Sequence, residues 1–221
     1  SISGYGQSGP LVDRAAFAPV IHAVSGFDAV FAASQGGSEV RPPNWEIMVA
    51  DILTGTFAFG AVQAALIGRL RHGKGDYLDV SMMDAVMSLI PAHIQRAQQT
   101  TDQAAIGRYC PVQTRDGYIM VVAVSDKNLK GVADVLERPD LLTDPRFTGA
   151  ARRAHMGELA EEVEKWALQR SASECELALN AAGVPCSCYQ QPEDLFAHPQ
   201  VVERKSFTHL HDDALGDFLI Q

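Results

Sequence analysis

The stretch VADILTG, residues 49–55, places a single acidic residue, Asp51, at the head of a long apolar run. The apolar residues of this run are Ile52, Leu53, Phe57, Phe59, Val62, Ala65, Leu66, Ile67 and Leu70. On a helix they cover most of the circumference, so the pattern predicts a long helix that is buried. Asp is a preferred N-cap residue, and on this stretch alone capping is the simplest role for Asp51.

Length and composition indicate a globular protein with one large domain or two small ones. The chain has 221 residues, of which 47% are hydrophobic, and its formal net charge is -9. An acidic chain without a dense cluster of Lys or Arg argues against a nucleic-acid-binding surface. The apolar helix contains Gly55, Gly60 and Gly68 and reaches Arg69 early for a membrane span, so we expect no transmembrane segment and no membrane partner.

The cysteines do not follow the spacing of a metal site. Cys186 and Cys188 are separated by one residue and have no histidine nearby, and Cys110 and Cys175 stand alone. The usual alternative is that they are reduced thiols that pack as small hydrophobic residues, which is typical of a cytoplasmic protein. We therefore expect no metal and a cytoplasmic location.

The first half of the chain alternates between strand-like and helical patterns. SISGYGQSGP, residues 1–10, begins with β-favourable residues and continues with glycines, as at a strand that ends in a ligand-binding loop. Residues 17–33 have helical spacing, residues 35–44 are loop-like, and HGKGD, residues 72–76, ends the apolar helix. YLDVS, residues 77–81, predicts a short strand, after which Ser81 and Asp84 start a second long helix that continues to Gln99.

A polar stretch near Thr100 predicts a linker, and a second domain follows it. GYIMVVAV, residues 117–124, reads as a buried strand, after which Asp126 caps a helix that continues to about Glu137. Residues 152–170 have helical spacing, and Ser173 and Glu176 form a capping box for the next helix. The pattern then predicts a strand at 184–189, one or two helical turns at 192–203 and a hairpin or edge-strand pair at 207–219.

Several of these motifs, in this order, resemble the class III CoA-transferase family of CaiB/BaiF type, which includes formyl-CoA transferase and the α-methylacyl-CoA racemases. The matching segments are SGYGQSGP, HAVSGF, VADILTG, AALIGRLRHGKGDYLDVSMMDAVMSL, GYIMVVAV, LERPDLLTDPRF and LNAAGVPCSCYQQPEDLFAHPQV. The resemblance implies an α/β fold in which part of a Rossmann-like large domain is joined by a long linker helix to a smaller α/β domain. It also implies an intertwined homodimer.

The resemblance implies a domain division for this chain. Residues 1–81 would be part of the large CoA-binding domain, whose N-terminal half would lie before Ser1. Residues 82–104 would form the linker helix, 105–195 the small α/β domain, and 196–221 a segment that returns to the large domain. A glycine-rich active-site loop of some relatives would fall at residues 100–111, where this chain has only Gly107.

In this family the acid at the position of Asp51 is the catalytic nucleophile. The resemblance therefore implies a transferase that moves CoA from an acyl-CoA donor to a carboxylic acid acceptor, through an aspartyl anhydride and an aspartyl-CoA thioester. Capping and catalysis could share this position. Arg14 either contacts a phosphate of CoA or is an arginine of the surface without a role in binding. Tyr5 and Gln7 could line the CoA pocket or shape the turn.

The racemases of the family exchange a proton with the same acid and a histidine in the preceding segment. That histidine would fall near Phe17, which cannot exchange a proton, and this favours transfer over racemisation or epimerisation. His22 lies five residues further on, toward a different helix face, and we interpret it as a core or interface histidine. A non-catalytic binding or assembly fragment is the remaining alternative.

Overall fold

The computed structural model describes residues 1–35, 41–43, 46–99 and 109–220. Helices and short strands alternate along the chain, which makes this a mixed α/β protein with small sheets. The chain divides into two compact units, Ser1–Gln103 and Ala104–Gln221.

The first unit is mainly helical. Its elements are β1 (Ile2–Ser3), α1 (Ala18–Val24), α2 (Phe27–Gln35), α3 (Val49–His72), β2 (Val80–Ser81), α4 (Met82–Met87) and α5 (Pro91–Ala97). Strands β1 and β2 pair in parallel, with Ile2 opposite Val80. A small core of Ala18, Ile21, Ala50, Met82 and Val86 joins α1, the first turn of α3 and α4.

Helix α3 has the predicted length, but the prediction that it is buried is wrong for the described chain. Only Ala50 and Thr54 in its first turns are buried, whereas Phe59 is 69% exposed and Leu70 is 86% exposed. An apolar pattern indicates that a surface is more stable away from water, but it does not identify the surface that covers the helix. The helix ends as predicted at Gly73, which adopts φ 68° and donates its N–H to the Arg69 carbonyl at 2.8 Å.

Helix α3 is also the one helix in the described ranges that is long and apolar enough to cross a membrane, by length and composition alone. Core helices of soluble proteins can pass the same test, so this is weak evidence. The expectation of no membrane partner therefore stays a prediction.

Two helices that the sequence pattern predicts as continuous are broken. The helix at residues 17–33 is interrupted between α1 and α2, where Gly26 adopts φ 82°. The predicted linker helix is divided into α4 and α5, and Pro91 is the first residue of α5. Proline has no N–H to continue the preceding helix and disfavours helical geometry in the residue before it, so the single long helix was wrong.

The second unit has its own sheet and core. Strands β3 (Pro111–Gln113), β4 (Tyr118–Val121) and β5 (Cys186–Cys188) form an antiparallel sheet in that order. The helices are α6 (Asp126–Leu136), α7 (Met156–Ala167), α8 (Ala172–Ala181) and α9 (Pro199–Glu203). The predicted hairpin is confirmed as β6 (Thr208–Asp212) paired with β7 (Gly216–Ile220).

The helix caps of the second unit differ from the predicted ones by one or two residues. Ser125, and not Asp126, is the N-cap of α6, and it forms a capping box with Asn128. Ser171 and Glu174, and not Ser173 and Glu176, form the capping box of α8. In both cases a second capping-type residue lies close by, and a local pattern cannot choose between neighbouring caps. In the first unit, the predicted cap at Ser81 is confirmed, because its hydroxyl accepts the Asp84 N–H at 3.2 Å.

An ion-pair network on α7 makes the stability of the second unit depend on pH. Lys165 Nζ lies 2.7 Å from one oxygen of the Glu162 carboxylate, and Arg138 Nη1 lies 3.0 Å from the other. Mainly the bond from Lys165, opposed by burial and assisted by Arg138, lowers the pKa of Glu162 below its ordinary value. A lowered pKa in the folded state stabilises the fold at pH values above the carboxyl pKa of the unfolded chain, which is about 4.3. This stabilisation is lost as the pH falls from there through the lower pKa of the folded state.

We therefore expect Glu162→Gln to lower the free energy of unfolding at pH 7 by up to about 1 kcal/mol. The difference from wild type should vanish near pH 3, where the wild-type carboxyl is protonated as well. Urea unfolding at the two pH values measures this, and Glu161→Gln is the matched control because Glu161 is exposed on the same helix. An equal loss at both pH values would show that charge pairing is not the cause.

Candidate functional site

Asp51 is the third residue of α3 and is exposed. The interpretation of Asp51 as N-cap is wrong, because Met48 occupies that position and provides no side-chain cap. Among the described residues, no partner accepts a hydrogen bond from the Asp51 backbone N–H, and none donates to its carboxylate. The carboxylate is therefore open to a ligand, at the end of the helix where the backbone dipoles carry partial positive charge.

Buried side chains fix the backbone that immediately precedes Asp51. His22 of α1 is 0% exposed, and its Nε2 accepts the N–H of Ala50 at 3.1 Å. Thr54, 1% exposed, donates its hydroxyl to the Ala50 carbonyl at 2.5 Å. The interpretation of His22 as a core histidine agrees with its burial. The only signal of the bond to Ala50 in the sequence is a polar residue on the apolar face of α1.

Tyr5 lies close to the same core. Its ring is partly buried and packs against the cluster that contains Ala50. Its hydroxyl is buried without a hydrogen-bond partner in the described part of the chain. The ring therefore supports the packing around the start of α3, and its role in binding CoA stays a prediction.

Gln7 follows in a loop that Asp79 holds in place. The Gln7 backbone N–H donates to Asp79 Oδ2 at 2.8 Å, and the Gln7 side chain is exposed. Asp79 therefore ties the glycine-containing loop to the segment before β2. A role for the Gln7 side chain in CoA binding stays a prediction.

Arg14 is exposed, and among the described residues its guanidinium has no acidic partner. Its backbone N–H closes a turn onto the Leu11 carbonyl at 3.0 Å. The structure thus brings Tyr5 and the peptide next to Asp51 into one core, and leaves Arg14 and Gln7 exposed on the same unit. The predicted loop around Gly107 lies outside the described residues.

The two thiols of β5, Cys186 and Cys188, are poor nucleophiles. Burial raises the pKa of Cys186 to about 12 and is also the main reason that the pKa of Cys188 is raised to about 11. Both thiols are therefore protonated at neutral pH, and a protonated thiol reacts slowly with a carbonyl. Within the described ranges, no group of three or more His, Cys, Asp or Glu side chains is arranged to hold a metal ion.

A cavity of about 400 Å³ in the second unit is lined in part by Tyr109, Val124, Arg152 and Arg153. Arg152 is 3% exposed and is held by hydrogen bonds to the Phe147 and Val124 carbonyls and an ion pair with Asp126. These bonds engage all three nitrogens of its guanidinium, so Arg152 joins the wall of the cavity to the core.

Comparison with known proteins matches the whole chain to one family. The model of CoA-transferase family III matches residues 1–221. The succinyl-CoA–D-citramalate CoA-transferase of Chloroflexus aurantiacus is 30% identical, over 100% of this chain and 56% of that protein. The succinyl-CoA:glutarate CoA-transferase of Homo sapiens is 29% identical, over 98% of this chain and 50% of that protein.

A solved structure shares the fold. A CaiB/BaiF family protein from Brucella suis matches with a TM-score of 0.71 and 27% sequence identity, over 94% of this chain and 56% of that chain. The present chain therefore spans about half the length of the relatives that it matches.

Proposed function

Since the chain belongs to CoA-transferase family III, we propose that the native protein moves CoA from an acyl-CoA donor to a carboxylic acid, with Asp51 as the nucleophile. The observation that carries this proposal is the environment of Asp51, an exposed carboxylate on a helix start that buried contacts hold in place. A free carboxylate on a fixed backbone suits covalent catalysis, in which the attacking atom must be both accessible and oriented.

The reaction proceeds through covalent intermediates on Asp51. Its carboxylate attacks the thioester carbonyl carbon of the donor, the C–S bond breaks, and CoA leaves as the thiolate. The thiolate attacks the Asp51 side-chain carbonyl carbon of the resulting anhydride, and the donor acid leaves as a carboxylate. The aspartyl-CoA thioester remains, and the CoA is now bound to the protein.

The acceptor completes the cycle by the same chemistry in reverse. Its carboxylate attacks the aspartyl-CoA thioester and expels the thiolate, which then attacks the acceptor carbonyl of the second anhydride. Acceptor acyl-CoA leaves, and the Asp51 carboxylate is regenerated without net gain of protons or electrons. The tetrahedral species carry negative charge, which the amide-rich start of α3 favours.

The environment of Phe17 and His22 supports transfer over racemisation. Phe17 is 78% exposed at the start of α1 and has no titratable group. His22 is buried, and its Nε2 is engaged by the Ala50 N–H, so the ring is not placed to carry a proton to a substrate. An intertwined homodimer, which the family resemblance implies, and a cytoplasmic location, which the cysteine pattern suggests, remain part of the proposal.

Two relatives named for succinyl-CoA suggest the first substrates to test. We expect the protein in its native length to form labelled acyl-CoA when it is incubated with succinyl-CoA and a panel of ¹³C-labelled carboxylic acids, with detection by mass spectrometry. Binding of acyl-CoA without transfer to any acid, across several donors, would instead favour a non-catalytic binding protein.

A second experiment separates transfer from racemisation. In deuterated water we expect no deuterium at the α-carbon of a 2-methylacyl-CoA, because neither Phe17 nor the buried His22 can supply the second base. Proton and deuterium exchange is read by the mass of the recovered thioester. Incorporation as fast as the transfer turnover would move the protein to the racemase branch.

A further inference from the structure

We propose that His22 is a positioning residue: its buried imidazole holds the start of α3 so that Asp51 presents its carboxylate to the donor thioester. This inference rests on the proposed function, because it assigns a role to His22 through the nucleophile and gives His22 no contact with substrate.

The first step is the protonation state that the geometry requires. A backbone N–H can only donate, so the Nε2 atom 3.1 Å from the Ala50 nitrogen must offer a lone pair and carry no proton. The same ring packs against Phe27, with ring centroids 5.6 Å apart. The imidazole therefore acts as a neutral acceptor whose orientation is fixed by its surroundings.

The second step is that this acceptor replaces a missing cap. The first N–H groups of a helix have no partner within the helix, and a side chain at the N-cap usually accepts one of them. Met48 at the N-cap cannot do so, and His22, 28 residues before Ala50, provides the acceptor from another helix. The start of α3 is thereby tied to the core of α1.

The third step connects this bond to Asp51. The Ala50 carbonyl belongs to the peptide bond that joins Ala50 to Asp51, and this carbonyl accepts the Thr54 hydroxyl at 2.5 Å. Both polar backbone groups of Ala50 are thus held by buried side chains, while Asp51 beside it is exposed. The chain is fixed one residue before the nucleophile, so the direction of the carboxylate depends on the bond that the Ala50 N–H donates to His22.

Loss of the acceptor should therefore slow chemistry more than binding. The buried Ala50 N–H would be left without a partner, and the first turn of α3 would shift or admit water to satisfy it. A displacement of about 1 Å in a reacting group can cost about 100-fold in rate. Binding of the donor should change little, because the proposal gives His22 no contact with the donor.

The test compares two variants of similar size in the protein of native length. His22→Gln keeps an acceptor oxygen near the position of Nε2, and His22→Met is an unbranched side chain of similar length without a strong acceptor. We expect His22→Met to lower kcat and the rate of Asp51 acylation by about 100-fold, with the donor KM within about threefold of wild type. His22→Gln should recover most of the lost rate.

Two further variants separate positioning from general destabilisation. Ile90→Val removes a buried methyl group in the same unit without touching Ala50, and we expect wild-type acylation from it. Thr54→Val keeps the shape of Thr54 and removes the hydroxyl bond to Ala50, and we expect slower acylation from a folded protein. If the two His22 variants fail to fold, Thr54→Val tests the premise that contacts to Ala50 set the direction of the Asp51 carboxylate, and wild-type acylation from a folded Thr54→Val would overturn the positioning role.

The outcomes distinguish this inference from the proposed function. Wild-type protein that forms no adduct at Asp51 would overturn the function itself. A wild-type adduct together with equal acylation rates in His22→Met, His22→Gln and Thr54→Val would overturn the positioning role and leave the function standing. A loss in Ile90→Val as large as in His22→Met would also contradict the positioning role.

Discussion

Asp51→Asn is expected to abolish CoA transfer, with a loss of at least about 10³-fold in kcat, while the fold is retained. The amide is a poor nucleophile and cannot form the anhydride and thioester intermediates. The Asp51 side chain is exposed and has no hydrogen bond to another described residue, so its loss should change the free energy of unfolding by less than about 1 kcal/mol. Steady-state transfer kinetics and urea unfolding measure the two effects.

Asp84→Asn is the matched control for this substitution. Asp84 is also exposed in the first turn of a helix of the same unit, so the variant removes the same charge from an equivalent position. We expect its kcat to stay within about twofold of wild type, since surface substitutions are usually mild. An Asp51→Asn protein with near-native turnover, after mass spectrometry has excluded deamidation to Asp, would refute the covalent mechanism.

Phe147→Ala is expected to cause the largest loss of stability, about 3–5 kcal/mol in the free energy of unfolding of the second unit. Phe147 is 0% exposed in the core that α6, α7 and the sheet share, and its backbone carbonyl accepts a bond from Arg152 at 2.7 Å. Removal of the ring leaves a cavity that rigid neighbours cannot fill. Hydrogen exchange of the α6 and α7 amides, followed by mass spectrometry, measures the change in stability.

Phe196→Ala is the comparison for the same chemical change at the surface. Phe196 is 53% exposed and contacts the ring of Phe207 at a centroid distance of 5.1 Å. We expect a loss below about 1.5 kcal/mol, because only this ring pair and little buried area are removed. Equal losses in the two variants would contradict the position of Phe147 at the centre of the core.

Local sequence patterns predicted most elements of the fold, and they missed features that depend on one residue. The strand around Ile119, the long helix after Met48 and the final hairpin follow directly from apolar periodicity and turn residues. The helix break at Pro91 was missed because the apolar spacing continues across it. Pro91 itself was the signal, and it outweighs periodicity because a proline ring has no N–H.

The burial of α3 could not be predicted from its own residues. Its apolar circumference correctly predicts a helix, but only its first turns are covered by the rest of the first unit. Burial depends on the surfaces around an element, and the helix pattern contains no information on them.

The sequence predicts Asp51 as a site residue, but it does not predict the contacts that hold the backbone around Asp51. The position of Asp51 at the head of an apolar helix is visible in the sequence, and the family resemblance suggests its role. The bonds that the Ala50 N–H donates to His22 and the Gln7 N–H donates to Asp79 join residues far apart in the chain. No periodicity links such pairs, so only the folded structure reveals what holds the backbone next to Asp51.

Trapping the acylated form of Asp51 tests whether this residue is the covalent nucleophile. In the protein of native length, donor acyl-CoA followed by hydroxylamine should convert the Asp51 carboxyl group to a hydroxamate, because hydroxylamine attacks anhydrides and thioesters and leaves free carboxylates unchanged. We expect this mass shift on the peptide that contains Asp51, and we expect it to require the donor and to be absent from Asp51→Asn. Rapid transfer without any modification of that peptide, or with the shift on another acidic residue, would contradict it.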